Sequence, residues 1–389
     1  MVVKRENVMK KVMLVFGTRP EAIKMAPLCH AFLAENQLET IVCVTAQHRE
    51  MLDQVLSIFN LTPDIDLNLM MKGQDLFDIT SSVILKMRDV LTAYKPDVVL
   101  VHGDTSTTMA TSIACFYAGV SVGHVEAGLR THDIDAPFPE EFNRRVASIV
   151  TKIHFTPTSS SRQNLIDEKI DIANICVTGN TVIDSLHWVL NKIESTESER
   201  ARINASLDEF LPFDWLNSRY VLITGHRREN FGAGFLDICG AIAALANKHS
   251  DVSFIYPVHL NPNVQAPVNK ILSTFKNVYL IPPLDYEPFV ALLKSCYLVL
   301  TDSGGIQEEA PSLGKPVVVM RDVTERPEAV EAGTVKLVGA NKALIFSCVD
   351  ELLTDTACYQ TMSQAHNPYG DGKACKRIVE NIKDLLNVS

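Results

Sequence analysis

Short runs of aliphatic and β-branched residues recur along this chain, and between them apolar residues repeat at helical spacing. The runs fall at 12–16, 41–45, 97–101, 120–125, 152–156 and 175–177, and again at 220–224, 252–257, 278–281, 298–301, 316–320 and 335–337. Few of them alternate apolar with polar residues. A strand with one wet face alternates, whereas a strand covered on both faces does not. The pattern therefore predicts parallel sheets with helices on both sides, and the strand–helix alternation makes the fold class α/β, doubly wound. Helical spacing at 22–35, 51–59, 76–94 and 235–248 supplies the covering layers. A chain of 389 residues exceeds one typical domain. Two Rossmann-like domains are expected, at 10–185 and 186–372, with the charged stretch 192–214 near their boundary. Ligands of such folds bind beyond the C-terminal ends of the strands, so the active site is expected in a cleft between the domains.

Composition narrows the function classes. Hydrophobic residues make up 47% and charged residues 21% of the chain, enough for large buried cores. The formal net charge is −10, and no basic stripe is evident, which argues against a nucleic-acid partner. An anionic ligand would have to be held by a local cluster of cations and backbone N–H groups. The nine cysteines include no C-x-x-C pair and sit mostly in apolar runs, the usage of a reduced, cytoplasmic protein. No apolar run reaches membrane-spanning length, and 12–16 is too short for a signal-peptide core.

Residues with chemistry stand where strands end. The segment Thr301-Asp302-Ser303-Gly304-Gly305-Ile306-Gln307-Glu308-Glu309 passes from a buried strand through a glycine turn into a helix. Backbone N–H groups at such a turn suit phosphate, and the following glutamates suit ribose hydroxyls. An ordinary strand-to-helix turn has the same outline. Strand 12–16 ends in Gly17-Thr18-Arg19-Pro20, which sends Arg19 past the strand end with Lys24 a turn further on. Strand 97–101 leads to Asp104, either a helix cap or a free carboxylate. Strand 120–125 ends at Glu126, costly to bury without a role. Glu140 and Glu141 open another helix, where they would at least favour its dipole. Strand 220–224 leads to His226. No P-loop, dinucleotide fingerprint or zinc spacing is present. The triplets Asp64-Ile65-Asp66 and Asp133-Ile134-Asp135 lie in polar stretches, and neither a metal nor another cofactor is expected.

Taken in order, Gly17–Lys24, His102–Thr105, His124–Arg130, Gly225–Glu229, Thr301–Gly314, Thr324–Glu328 and Asn367–Gly372 resemble the non-hydrolysing bacterial UDP-N-acetylglucosamine 2-epimerases. The resemblance runs from about Val12 to about Leu386. It implies the glycosyltransferase-B architecture, in which a last helix, here within 373–389, returns to the first domain. It implies interconversion of UDP-GlcNAc and UDP-ManNAc for surface polysaccharide synthesis, by an enzyme that is commonly a homodimer. The family is understood to eliminate UDP, leaving a 2-acetamidoglucal, and to add it back with C2 inverted. Two faces of C2 then need acid/base groups, which makes Asp104, Glu126 and Glu140 the catalytic candidates, with His226 near the diphosphate. Arg19, Lys24, Leu284, Phe289, Ser303, Gly304, Gly305, Glu309 and Arg326 match substrate-binding positions, Phe289 beside the uracil. Gln47 and His259 match an activator site for a second UDP-GlcNAc, although Glu50 and Gly73 replace a glutamine and an arginine seen there. A glycosyltransferase, a hydrolysing relative and a non-enzymatic sugar-nucleotide sensor are the competing readings. The first would need an acceptor, the second would release free sugar, and the third has no use for three carboxylates.

Overall fold

Runs of fully buried Val, Ile and Leu build two parallel sheets in the computed structural model, which describes residues 9–46, 49–71 and 73–388. The first sheet holds β1 (Lys10–Phe16), β2 (Leu38–Val44), β3 (Ile65–Asp66), β4 (Val98–His102), β5 (Ser121–Val125), β6 (Ile153–Thr156) and β7 (Ile175–Val177). Its order is β3-β2-β1-β4-β5-β6-β7, all parallel. The second holds β8 (Tyr220–Thr224), β9 (Ser253–Pro257), β10 (Val278–Ile281), β11 (Leu298–Thr301), β12 (Val317–Val319) and β13 (Val335–Leu337), in the order β10-β9-β8-β11-β12-β13. In each sheet the chain winds outward from the first strand, returns, and winds out the other way. The switch lies between β1 and β4 in one sheet and between β8 and β11 in the other. At that point neighbouring strand-to-helix loops diverge and leave a crevice beyond the carboxyl ends. These are two Rossmann-like sheets of the glycosyltransferase-B type.

The chain forms two compact units, one running through Ser185 and resuming at Tyr369, the other spanning Leu186–Pro368. The border falls inside helix Thr181–Ser195. The charged stretch 192–214, read from sequence as a weakly patterned boundary region, is helical across Glu197–Asp208. Its pattern is faint because that helix buries only Ile203 and Leu207. The sequence reading also passed over β3, a two-residue edge strand without an apolar run. Its neighbours Asp64 and Asp66 are structural acceptors: Asp64 takes the Val42 N–H at 2.8 Å and Asp66 the Asn68 N–H at 3.0 Å.

The first unit closes on the last helix, Ala374–Leu386, whose own cap residue Lys373 offers no side-chain acceptor. Asp184 supplies one from outside, accepting the Ala374 and Cys375 N–H groups at 3.2 and 3.0 Å. A buried carboxylate there answers both the free donors and the positive end of the helix dipole. Lys383 reaches Glu35 at 2.9 Å and pins the other end to helix Arg19–Leu33. Replacing Asp184 with Ala should cost this attachment about 1–3 kcal/mol. Amide hydrogen exchange across Ala374–Leu386 should then speed up by about 5- to 150-fold. Unchanged protection would show that packing alone holds the helix.

Candidate active site

Gly17 ends β1 where the chain must pass close under its neighbours, since a Cβ there would sit 1.9 Å from Thr45 Oγ1. The chain then enters helix Arg19–Leu33 through a capping box. Thr18 Oγ1 accepts from Glu21 N–H, and Glu21 Oε2 accepts from Thr18 N–H at 2.8 Å and Gly17 N–H at 3.1 Å. Arg19 therefore stands at the first helical position, half-buried and with no side-chain partner among the described residues. The other oxygen of Glu21 accepts the Thr105 hydroxyl at 2.7 Å, tying the loop after β1 to the loop after β4. Burial pushes the Glu21 carboxyl upward, against those hydrogen bonds. Thr105, not Asp104, caps helix Ser106–Ala118, accepting the Thr108 N–H at 3.1 Å. The capping reading of Asp104 is thus corrected, and its carboxylate pairs with Arg144 instead of capping the helix.

Asp104 and Glu126 influence each other at this end of the first sheet, and helix Glu140–Val150 reaches Asp104 through Asn143 and Arg144. Burial raises the Asp104 carboxyl, while the paired Arg144 guanidinium pulls it back down. Asn143 donates to the Asp104 carbonyl at 2.9 Å. Glu126 follows β5 with a φ of 62°, a left-handed conformation rare outside glycine and asparagine. Its carboxylate forms an ion pair with Lys24, accepts from Asn180 Nδ2 at 2.8 Å, and faces His102 Nε2 at 3.8 Å. His102 is buried and its pKa is pushed down to about 3, so it meets Glu126 as a neutral ring. Glu140 opens helix Glu140–Val150, and its Oε2 is buried with no hydrogen-bond partner among the described residues. Glu141 beside it uses one oxygen for structure, Oε2 accepting the Thr131 N–H at 3.1 Å and pairing with Arg144 at 3.4 Å, while its buried Oε1 has no hydrogen-bond partner among the described residues. The first turn of helix Glu140–Val150 thus carries two carboxylates with a buried oxygen to spare, and the arginine that tunes Asp104.

The corresponding end of the second sheet is arranged for an anion. Ser303 N–H bonds to Thr301 Oγ1 at 2.9 Å, but the Gly304 and Gly305 N–H groups meet no acceptor among the described residues. A Cβ at Gly305 would find open space, so the turn is accessible. Arg326 is steered by an ion pair to the buried Glu308. Glu309 accepts the Tyr286 hydroxyl at 2.7 Å, which ties the turn to helix Tyr286–Ser295. Phe289 lies in that helix and Leu284 just before it, both half-buried. His226 follows β8 and stacks on His259, with ring centres 5.0 Å apart and planes 14° from parallel. Burial depresses its pKa, Asp302 raises it, and His259 and Arg227 lower it. Gln47 lies outside the described residues. Sequence reasoning passed over Glu21, Arg144 and Asn180 as site residues. Only the Thr18-x-x-Glu21 spacing left a local signal. No group of three or more metal-ligating side chains, and no helix long and apolar enough to cross a membrane, occurs among the described residues.

A family model described as UDP-N-acetylglucosamine 2-epimerase matches residues 30–383. The UDP-N-acetylglucosamine 2-epimerase of Escherichia coli O157:H7 is 57% identical over 96% of this chain and 98% of its own. The crystal structure of UDP-GlcNAc 2-epimerase from Neisseria meningitidis, bound to UDP-GlcNAc, is 51% identical and superposes with a TM-score of 0.86, covering 96% of this chain and all of that one (100%). The Methanocaldococcus jannaschii enzyme in complex with UDP-GlcNAc and UDP is 33% identical, with a TM-score of 0.77 over 96% of this chain and 99% of that one. Two switch points, one rich in carboxylates and one in N–H donors and cations, thus occur in a chain that belongs to the UDP-N-acetylglucosamine 2-epimerase family.

Proposed function

We propose that the protein inverts C2 of UDP-GlcNAc, giving UDP-ManNAc by elimination and re-addition of UDP. The observation that supports this reading is the pair Asp104 and Glu126 at neighbouring strand ends, with Glu140 opening the helix whose Asn143 and Arg144 reach Asp104. The C2 proton of the sugar is not acidic, because no carbonyl is attached to C2. Breaking the C1–O bond to UDP puts positive charge on C1 and makes the C2–H bond cleavable by a base. The electron pair of that bond becomes the C1–C2 double bond, and UDP leaves with the pair from C1–O. Re-addition reverses these steps with the proton delivered to the opposite face.

Each carboxylate suits part of that work. Asp104 sits between burial, which favours its acid form, and Arg144, which favours its anion. A carboxyl raised by burial and still held by a cation can serve as acid or base in turn. Glu126, held by Lys24 and Asn180, is an anion well placed to stabilise charge at C1. Glu140 keeps an oxygen in reserve for the second face of C2. Arg19, Arg326 and the Ser303–Gly305 turn would hold the diphosphate, with His226 beside the leaving group and Leu284, Phe289 and Glu309 at the uridine. His259 and Gln47 would serve the activator. The product would supply surface polysaccharide synthesis in the cytoplasm. Phe116, Tyr117 and Ile149 are 64%, 76% and 80% exposed on neighbouring helices of the first unit, and a second copy of the chain would cover them in a homodimer.

Three measurements test this. Proton NMR with UDP-GlcNAc in D₂O, without added metal or acceptor, should show UDP-ManNAc carrying deuterium at C2. The absence of both deuterium exchange and a new sugar nucleotide would refute the activity. Asp104→Asn, Glu126→Gln and Glu140→Gln should each lower kcat about 10²–10⁴-fold while UDP binding stays within a few-fold. A parallel loss of UDP binding would place these groups in binding instead. Light scattering should return twice the chain mass, reduced toward a single chain by Tyr117→Lys; a monomeric wild-type protein would refute the dimer.

A further inference from the structure

β8 and β11 are paired in register, Thr224 beside Thr301, so the residues that follow them face each other across the switch point of the second sheet. Asp302 is completely buried there. Its Oδ2 accepts the His226 and Arg227 N–H groups, both at 2.8 Å, and lies 3.5 Å from Asn230 Nδ2. Its Oδ1 has no hydrogen-bond donor among the described residues, an expensive state for a buried carboxylate oxygen. What faces it is the His226 ring, with Nδ1 4.0 Å away.

We infer that Asp302 is a positioning residue for His226, orienting the imidazole through Nδ1 and holding Nε2 as a proton carrier for the diphosphate. The inference rests on the reading of His226 as the residue beside the leaving group. His259 covers one face of the ring, and His259 Nδ1 accepts the Asn261 N–H at 3.1 Å, which places its own proton on Nε2. A recess of about 460 Å³ opens here, lined by His226, Arg227, Arg228, Glu229, His259 and Asn261. Glu229 is paired with Arg321 at 2.7 Å, leaving Asp302 as the negative charge acting on the ring. In the free protein burial lowers the His226 pKa, while Asp302, with Oδ1 4.0 Å from Nδ1, acts in the opposite sense. A bound diphosphate adds negative charge on the far side. The ring then takes a proton from solvent at Nε2 and stands as an imidazolium between two anions. When the C1–O bond breaks, Nε2–H donates to the diphosphate oxygen that gains the charge.

The experiment is a ¹⁵N-edited NMR titration of the His226 imidazole, with and without UDP, in wild type and Asp302→Asn. The two backbone N–H groups should hold the asparagine oxygen in place of Oδ2, turning its amide toward the ring and removing the charge while keeping the fold. In wild type the neutral ring should carry its proton on Nδ1, and UDP should raise its titration. In the variant His226 should titrate roughly one pH unit lower. UDP affinity at pH 6 should drop about tenfold, with a loss small at pH 8. Identical His226 titrations in both proteins, or an Nε2–H ring in free wild type, would overturn the inference. Should the variant fail to fold, the wild-type tautomer decides. Wild-type epimerisation is measured separately, so a shifted His226 in a protein that makes no UDP-ManNAc would sink the epimerase reading and leave the Asp302 pairing intact.

Discussion

Everything functional here follows from one constraint, that parallel strands covered on both faces have no side of their own to give to a ligand. Val98–Val101 and Leu298–Leu300 are wholly buried, and every side chain along them is spent on packing. Chemistry is pushed past the last hydrogen bond of each strand. Where two adjacent strands lead their chains in opposite directions, a space opens that neither helix layer fills. Arg19 and Asp104 stand at that space in one sheet, His226 and Asp302 in the other.

The two ends then differ in which charges burial tolerates. At the first, carboxylates are kept by cations close at hand, Glu126 by Lys24 and Asp104 by Arg144. At the second, two glycine N–H groups lie open, and the glutamates of the following helix are occupied, Glu308 by Arg326 and Glu309 by Tyr286. A negative group arriving there meets donors and steered cations without displacing a buried partner. The neutral histidines behind the first site add polarity without charge, since burial holds His124 and His154 at about 4 and 3.

Much of this was legible from the chain because strand-end residues sit at fixed offsets from apolar runs. The β4 and β5 runs pointed directly to Asp104 and Glu126, and the β8 run to His226. What escaped was whatever depends on a distant partner. Arg144 comes 40 residues after the Asp104 it pairs with, and Asn180 comes 54 after Glu126, and no local pattern announces either meeting. The edge strand Ile65–Asp66 escaped for the opposite reason, being too short and too polar to carry a period. The helix within 192–214 escaped because it is charged and buries only Ile203 and Leu207, so it carries little apolar period.

The return of Ala374–Leu386 to the first unit also bears on the order in which the protein can be made. A ribosome delivers the β1–β7 sheet long before the residues that Asp184 must cap. The whole second unit is synthesised in the interval. During that time Asp184 is a carboxylate without its donors, and the surface of helix Arg19–Leu33 that meets the last helix is bare. The second unit, continuous in sequence, can fold as it emerges. The first unit begins before the second and is completed after it, so its integrity hangs on a helix made once the whole second unit is out.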